Sequence, residues 1–307
     1  MNLFLFFFIL TLIAVVPLQA QTAEVEQDMF ESMRGADKAA IVAVYYGTTD
    51  EGQQQRCIAA LNAKLQKAFA GVAVFEAWTH QPAVRQMEER GSVRCTLTHV
   101  LDQLRAEGFT HVLIQPSSII DGVEMEYIRH EAAIYVGKFK QLRVGGALLT
   151  TPDDYEQTVR QIAAVYGSKK LGNVLVVGGE GGESPAQFAM LDYMLRHLGY
   201  DNWFVVAETE DGFPTVEHLQ RRLKQRKQKK LNLIPLTFTS KNTENIDEIR
   251  QQLQKAGYKV SLTEHTPGEV DGIQELFVNQ AKHTRMFRTY TPLELKMQES
   301  LTRPTAP

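Results

Sequence analysis

Acidic residues cluster in two segments of the 307-residue chain whose composition suits metal or proton chemistry. Glu180 lies among four glycines in the sequence GGEGGES, residues 178–184, and Glu208, Glu210 and Asp211 lie within four residues of one another. Carboxylate oxygens bind divalent cations. Crowding also raises the pKa of at least one carboxyl group, which suits a general base. A solvated acidic turn that caps the next helix is the alternative for the second segment.

The glycine-rich segment matches neither of the common phosphate-binding motifs. It lacks the Lys-Ser/Thr ending of a P-loop, and its glycines are not spaced as in the G-x-G-x-x-G motif of dinucleotide sites. Its two carboxylates would also repel phosphate. A cation, an amine or a pyrrole NH is therefore the better-matched partner, and glycines such as Gly181 let the backbone approach a flat ligand closely.

A third polar segment, Tyr46-Gly47-Thr48-Thr49, follows an apolar run in the amino-terminal half. Gly47 lets the backbone come near a ligand, and the two threonine hydroxyls stand at the start of a helix. A tight turn without a ligand is the alternative. His80 lies just past another predicted strand, and of the eight histidines it is the one placed where a ligand is within reach.

Alternating strands and helices position these segments. Apolar runs such as residues 39–47 are typical of parallel strands buried on both faces, and helical periods such as residues 51–69 follow them. The pattern restarts at residue 172, and Pro116 and Pro235 close the third strand of each half. The sequence predicts an α/β fold of two lobes, each a parallel sheet flanked by helices, with a cleft between them. Ligands of such sheets bind beyond the carboxyl ends of the strands, where the polar segments fall.

The predicted domain organisation follows the same pattern. Residues 1–20 form a signal peptide or anchor, residues 38–165 the amino-terminal lobe, residues 166–284 the carboxyl-terminal lobe and residues 285–307 a tail. The predicted strands are 39–47, 72–78, 110–116, 142–149, 172–177, 203–208, 231–239 and 258–265. The predicted helices are 51–69, 96–106, 123–138, 151–166, 185–198, 215–226, 244–256 and 271–283.

The amino end predicts export. Residues 3–18 form an apolar run that is shorter than the roughly 20 residues of a spanning helix. Ala20 provides a signal-peptidase site, so the mature chain would begin near Gln21. An uncleaved membrane anchor is the alternative, and in both cases the body of the protein lies in the periplasm or cell envelope. There Cys57 and Cys95 either pair or remain two buried thiols.

Composition excludes several classes of protein. The chain is 44% hydrophobic and 22% charged, with 33 Lys plus Arg against 36 Asp plus Glu. These values exclude long-range disorder, a collagen-like fibre and a polytopic membrane protein. The near-neutral balance gives no general attraction to nucleic acid. A membrane is contacted only through an uncleaved amino-terminal segment, and the oligomeric state is open, a homo-oligomer included.

Over residues 38–284 the sequence resembles the anaerobic sirohydrochlorin cobaltochelatase family, within the class II tetrapyrrole chelatases. The family motifs are [SF]-F-G-T-S, A-F-T-S, Q-P-L-H-I-I-P-G-E-E-Y, P-L-L-T-S-P-E-D-Y and V-E-G-Y-P. They are similar, in that order, to residues 46–49, 77–80, 115–127, 148–155 and 210–214, and residues 272–277 resemble the family's final helix. The resemblance implies two flavodoxin-like lobes that hold a tetrapyrrole in the cleft and bind a divalent metal, cobalt or iron, near it.

The departures from the family pattern fall on the chemistry. The motif M-G-H-G-T-x-H-P-A-N aligns without a gap on residues 178–187, so Glu180 replaces its catalytic, metal-binding histidine and Ser184 its second histidine. Asp211 replaces the metal-binding glutamate of V-E-G-Y-P, and Ser118 the histidine of Q-P-L-H. Cobalt and ferrous ions favour imidazole, and an ordinary carboxylate is a weaker base than neutral histidine near pH 7. The resemblance therefore implies altered chelation, or binding without catalysis.

These observations predict an exported protein of the chelatase type that inserts or exchanges a divalent metal in a tetrapyrrole. Glu180 is the expected catalytic base and, with Asp211, the expected metal ligand. The alternative is a non-catalytic periplasmic protein that binds haem or another tetrapyrrole, with His80 as axial ligand. An unrelated solute-binding protein fits the two lobes and export but not the motifs. The expected tetrapyrrole-binding residues are Tyr46, Gly47, Thr48, His80, Ser118 and Gly181.

Overall fold

The computed structural model of the protein describes residues 23–178, 185–208, 212–239, 246–263 and 265–290. The described residues fall into two compact units. One is an antiparallel ribbon of β1 (Ala23–Glu26) and β10 (Phe287–Tyr290), in which Ala23 pairs with Tyr290 and Glu26 with Phe287. The other, Gln27–Met286, contains two parallel sheets.

The first sheet comes from the amino-terminal half of the chain. Its described strands have the order β3-β2-β4-β5, and every pairing is parallel. All residues of β2 after Ala39 are buried, as expected for a central strand covered on both faces. The strands are β2 (Ala39–Tyr45), β3 (Ala73–Trp78), β4 (His111–Pro116) and β5 (Gln141–Val144).

The second sheet repeats the first. Its described strands have the order β7-β6-β8-β9, again all parallel. Pro116 pairs with Val44, and Pro235 pairs with Val176 at the equivalent position. The predicted α/β fold with two helix-flanked parallel sheets is therefore confirmed. The strands are β6 (Gly172–Val177), β7 (Trp203–Ala207), β8 (Lys230–Pro235) and β9 (Lys259–Leu262).

Helices connect the strands and cover both faces of each sheet. A π-helical turn, Gln54–Ala59, lies between α1 and α2. Within the described ranges, no helix is both long enough and apolar enough to cross a membrane. The helices are α1 (Glu51–Gln53), α2 (Ala60–Ala68), α3 (Gln81–Glu89), α4 (Leu97–Ala106), α5 (Val123–Ala133), α6 (Pro152–Tyr166), α7 (Pro185–His197), α8 (Val216–Gln225), α9 (Ile246–Lys255) and α10 (Asp271–Met286).

Four elements differ from the sequence-based expectation. Helix α3 was not predicted, although Pro82 in its first turn and the buried pair Ala83 and Met87, one turn apart, are helix signals. Strands β1 and β10 were not predicted either, so the segment expected to be a tail begins with the end of α10 and a strand. Strand β5 ends at Val144, before the glycine pair that the prediction included.

One hydrophobic core joins the two sheets. Ile41 and Leu113 of the first sheet and Leu175 and Ile234 of the second belong to the same cluster, and all four are fully buried. The opposite face of each sheet has a separate core of its own. Along each strand, alternate residues therefore enter the core shared by both sheets and the separate core on the opposite face, as in parallel strands buried on both faces.

Aromatic rings extend this shared core across the chain. Tyr45 ends β2, and its ring centroid lies 5.8 Å from that of Phe238, which follows β8. Phe238 in turn meets Phe277 of α10 edge-to-face, with ring centroids 5.4 Å apart and planes at 88°. Helix α10 also reaches the segment that follows β5, where the side-chain amide of Gln280 donates to the Ala147 carbonyl at 2.6 Å.

Candidate functional site

The topology creates one equivalent crevice in each sheet. The chain leaves β2 toward β3 on one side and returns to β4 on the other, so the carboxyl ends of β2 and β4 flank the point where the connection reverses. Open α/β sheets bind ligands at this point. Tyr46 follows β2, and Ser117, which follows β4, donates its N–H to the Val44 carbonyl at 2.8 Å. In the second sheet Leu236 makes the same bond to Val176.

Tyr46 and His80 lie side by side at this edge. The His80 N–H donates to the Tyr46 carbonyl at 2.9 Å. The two rings stack with centroids 4.5 Å apart and planes 12° apart. The His80 carbonyl also accepts from Val84 in the first turn of α3, so the start of this helix fixes the backbone of the histidine. The structure thus brings together two of the predicted binding residues.

Gly47 and Thr48 have structural roles at the same edge. Gly47 has φ +100°, and a Cβ there would lie 2.5 Å from Cε3 of the buried Trp78 ring. The glycine is therefore required by Trp78, independently of any ligand. The Thr48 hydroxyl accepts from the Asp50 N–H at 3.2 Å, and its carbonyl accepts from the Gln54 amide at 2.8 Å. Thr48 thus shapes the entry into the helix that follows.

Glu124 links two strand-end segments and was not singled out from the sequence. The Ser118 hydroxyl donates to Oε2 of Glu124 at 2.8 Å, and the Thr79 hydroxyl donates to Oε1 at 3.0 Å. Ser118 is buried, and Glu124 lies in the first turn of α5. One carboxylate therefore fixes the ends of β3 and β4 relative to each other. The sequence places Glu124 two residues after Gly122 and close to Ser118, but it gives no sign of the contact with the distant Thr79.

We expect Glu124→Ala to lower the free energy of unfolding by about 2 kcal/mol, because two hydroxyl groups lose a charged acceptor. Chemical denaturation followed by circular dichroism measures this change. Glu126→Ala is the matched control, since Glu126 is exposed in the same first turn, and its replacement should cost no more than about 0.5 kcal/mol. Equal effects of the two substitutions would show that the Glu124 hydrogen bonds do not stabilise the edge.

A reciprocal amide contact joins this edge to the second sheet. The Asp121 N–H donates to Oε1 of Gln187 at 3.1 Å, and Nε2 of Gln187 donates to the Asp121 carbonyl at 2.8 Å. Gln187 lies in the first turn of α7, and the Asp121 carboxylate also pairs with Arg129 at 2.6 Å. The loop after β4 is therefore fixed by the helix that follows the glycine-rich segment.

The acidic residues expected to bind metal, Glu180 and Asp211, lie outside the described residues, as does Gly181. Their roles remain predictions. Among the residues that the structure describes, no three His, Cys, Asp or Glu side chains form a metal-binding group. Glu208 is described: it is 7% exposed, and its N–H donates to the Val177 carbonyl at 2.9 Å. The acidic segment therefore begins beside the end of β6.

Both cysteines are thiols in the described part of the chain. Cys57 is buried, with Sγ 3.6 Å from Oγ1 of Thr266. Burial raises the pKa of the Cys57 thiol to about 12, so it stays protonated at neutral pH. Of the two alternatives left open by the sequence, a disulfide and two thiols, the structure has the thiols.

The sequence and the fold of this chain are similar to those of known metal chelatases. The family model described as Cobalt chelatase (CbiK) matches residues 39–286. Sirohydrochlorin cobaltochelatase of Salmonella typhimurium is 24% identical over 251 residues, which cover 78% of this chain and 94% of the relative. A structure of SirB from Bacillus subtilis with Fe3+ aligns with a TM-score of 0.56 at 15% identity, over 81% of this chain and 96% of that chain. The sirohydrochlorin chelatase SirB from Bacillus subtilis subspecies spizizenii, in complex with cobalt, aligns with a TM-score of 0.53 at 16% identity, over 81% and 95%.

The repeated parallel sheets have the fold of the SirB chelatases. The family model that matches residues 39–286 defines the class of protein, the metal chelatases, and the fold gives it two α/β halves. The chain belongs to the Cobalt chelatase (CbiK) family, because the family model matches most of its length. The resemblance found in the sequence motifs is confirmed, and an unrelated solute-binding protein is excluded.

Proposed function

We propose that the protein inserts a divalent metal, cobalt or iron, into a tetrapyrrole of the sirohydrochlorin type. The observation that carries the proposal is the family match over residues 39–286. The grouping of Tyr46, His80 and Ser118 at the carboxyl edge of the first sheet supports it, since open α/β sheets bind ligands at this edge. The tetrapyrrole then lies in a cleft between the two halves, beside the segment that carries Glu180.

The proposed reaction exchanges two protons for one metal ion. Two pyrrole N–H bonds break, the four ring nitrogens bind the divalent metal, and two protons pass to a base and then to water. We assign Glu180 as the base and as a metal ligand, and Asp211 as a second ligand. A neighbouring carboxylate raises the pKa of a carboxyl group, which makes it a better base near neutral pH.

The described residues supply the surface for the macrocycle in this proposal. The stacked rings of Tyr46 and His80 present an aromatic surface, and aromatic surfaces suit a flat macrocycle. Ser118 is fixed by Glu124 at the neighbouring strand end. We also assign Gly181 of the glycine-rich segment to tetrapyrrole binding, because a glycine lets the backbone approach a flat ring closely.

We also propose that the protein acts outside the cytoplasm, in the periplasm or cell envelope. The support is the apolar run of residues 3–18, followed by Ala20. The mass of the protein purified from cells distinguishes cleavage before Gln21 from an intact amino terminus. A mass that includes residues 1–20 would contradict cleavage.

The test of the proposed reaction mixes the purified protein with sirohydrochlorin and Co2+ and follows the absorbance bands of the macrocycle. We expect metal insertion to be faster than in the same mixture without protein. Equal rates would contradict the proposal. In a second arm with haem, a tight complex without turnover, lost in His80→Ala but kept in His99→Ala, would identify a haem-binding protein instead. His99 is the control because its side chain is exposed on α4.

A further inference from the structure

A cavity of about 370 Å3 lies between α7 and α8. This volume is within the range of small-molecule sites. The two helices cover opposite faces of the second sheet, because α7 contributes to the shared core and α8 to the separate one. They meet beside β7, the edge strand of that sheet. The residues of its lining that matter below are Asp192, Arg196, Phe213, His218, Arg222 and Arg226.

A buried carboxylate organises the charged wall of this cavity. Asp192 is 5% exposed. Its Oδ1 pairs with Nη1 of Arg222, and its Oδ2 lies 3.3 Å from Nε of Arg196. Desolvating a carboxylate is costly, and such a pair gives little net stability. What the arrangement does achieve is to hold two guanidinium groups at fixed positions on one wall.

The two guanidinium groups differ in depth. The Arg222 side chain is 16% exposed, and its Cζ lies 5.1 Å from the centroid of the Phe204 ring in β7. The Arg196 side chain is 51% exposed. Its described contacts use Nε, which also donates to the Asp192 carbonyl at 3.2 Å. Arg196 thus lines the cavity with a half-exposed side chain whose printed contacts leave its terminal nitrogens uncommitted within the described residues.

The wall is positively charged as a whole. The described lining has three arginines and one carboxylate, and Asp201 pairs with Arg226 from outside at 2.7 Å. Even with Asp201 counted, positive charge remains in excess. Burial lowers the pKa of His218, so this side chain is neutral at pH 7 and adds no charge. Guanidinium groups match the geometry of carboxylate and phosphate oxygens.

An aromatic surface lies in the same cavity. Phe213 lines the cavity and is 43% exposed, so its ring is accessible to a ligand. Its ring meets that of His218 edge-to-face, with centroids 5.2 Å apart. The cavity thus combines fixed positive charge with an exposed ring, a combination that suits a ligand with both an anionic and an apolar part.

We propose that this cavity binds a small organic anion, whose phosphate or carboxylate group contacts Arg196 and Arg222 and whose flat apolar group lies against Phe213. The proposal uses none of the residues assigned to the chelatase reaction and does not depend on it, although Phe213 follows Asp211 in the same segment. Both α7 and α8 follow segments that carry the expected metal ligands, Glu180 and Asp211. An occupant would thus bridge the helices that follow these segments.

The test is calorimetric titration of the full chain with phenyl phosphate, benzoate, inorganic phosphate and benzyl alcohol. We expect phenyl phosphate or benzoate to bind at millimolar concentration or below, and benzyl alcohol not to bind. Comparison of phenyl phosphate with benzoate identifies the preferred anionic group. If neither aromatic anion binds, the proposal is overturned. If benzyl alcohol binds as tightly as the anions, the arginines do not contribute to binding, which also contradicts the proposal.

Two variants and a control locate the site. Arg196→Gln should weaken binding of the aromatic anion by about ten-fold or more, because one charge-assisted contact is lost while Asp192 keeps Arg222. Phe213→Ala should weaken phenyl phosphate but leave inorganic phosphate unchanged. Arg105→Gln, an exposed arginine of α4, is the control and should bind as the unmodified protein does. Unchanged affinity in Arg196→Gln, with the same unfolding midpoint, would show that the anion binds elsewhere.

Discussion

Glu180→Gln is expected to slow cobalt insertion into sirohydrochlorin by about 100-fold or more, because general-base catalysis contributes about that much. The amide neither accepts a pyrrole proton nor provides a charged ligand for the metal. The prediction rests on the proposed function and is measured as the initial rate of the absorbance change. Glu183→Gln is the matched control, since it removes a carboxylate from the same glycine-rich segment, and its rate should stay within about two-fold of the unmodified protein.

Glu180→His makes the prediction sharper. The family motif that resembles residues 178–187 has a histidine at this position, and a neutral imidazole is both a suitable base near pH 7 and a favourable ligand for cobalt. We therefore expect Glu180→His to retain or exceed the rate of the unmodified protein. If Glu180→Gln and Glu183→Gln react equally fast, Glu180 is neither the base nor an essential ligand.

Gly47→Ala is expected to lower the free energy of unfolding by about 3 kcal/mol. This value is the sum of the energetic cost of overpacking and the cost of a positive φ at a residue that has a Cβ. The added carbon would lie 2.5 Å from the ring of Trp78, which is buried and cannot withdraw into solvent. Chemical denaturation measures the loss. Because Gly47 lies next to Tyr46, we also expect the variant to bind the tetrapyrrole more weakly.

Gly91→Ala is the control that separates the two contributions. Gly91 has φ +77°, and a Cβ there would meet nothing within 4 Å. Its replacement should cost only the backbone strain, about 1 kcal/mol. The difference between the two variants then measures the contact with Trp78. Equal losses would show that the Trp78 ring moves aside without cost.

The fold was accessible from the sequence because its signals are local. Apolar runs such as residues 39–47 and the repeated prolines, Pro116 and Pro235, show the strands and the internal repeat, and the structure gives the same sheet order twice. The position of Tyr46, His80 and Ser118 at one edge follows from the same pattern, since the carboxyl ends of parallel strands lie at one edge of the sheet.

The remaining features depend on contacts between distant parts of the chain. The hydrogen bond between Thr79 and Glu124 joins residues that are 45 positions apart, and nothing in the sequence near either residue indicates it. The close approach of the Trp78 ring to Gly47 likewise joins two strands, and the sequence gives no sign of it. The cavity between α7 and α8 arises from side chains such as Asp192 and Arg222, which are 30 residues apart and read as ordinary helix-surface charges.

The apolar core shared by the two sheets has a consequence for how the two halves of the chain can move. Tyr45, Phe238 and Phe277 belong to one continuous packing arrangement, so swinging the halves apart as a hinged clamp would expose buried aromatic surface to water. Opening the halves as rigid bodies is therefore costly, and we expect any adjustment to a bound ligand to fall to the loops at the strand ends.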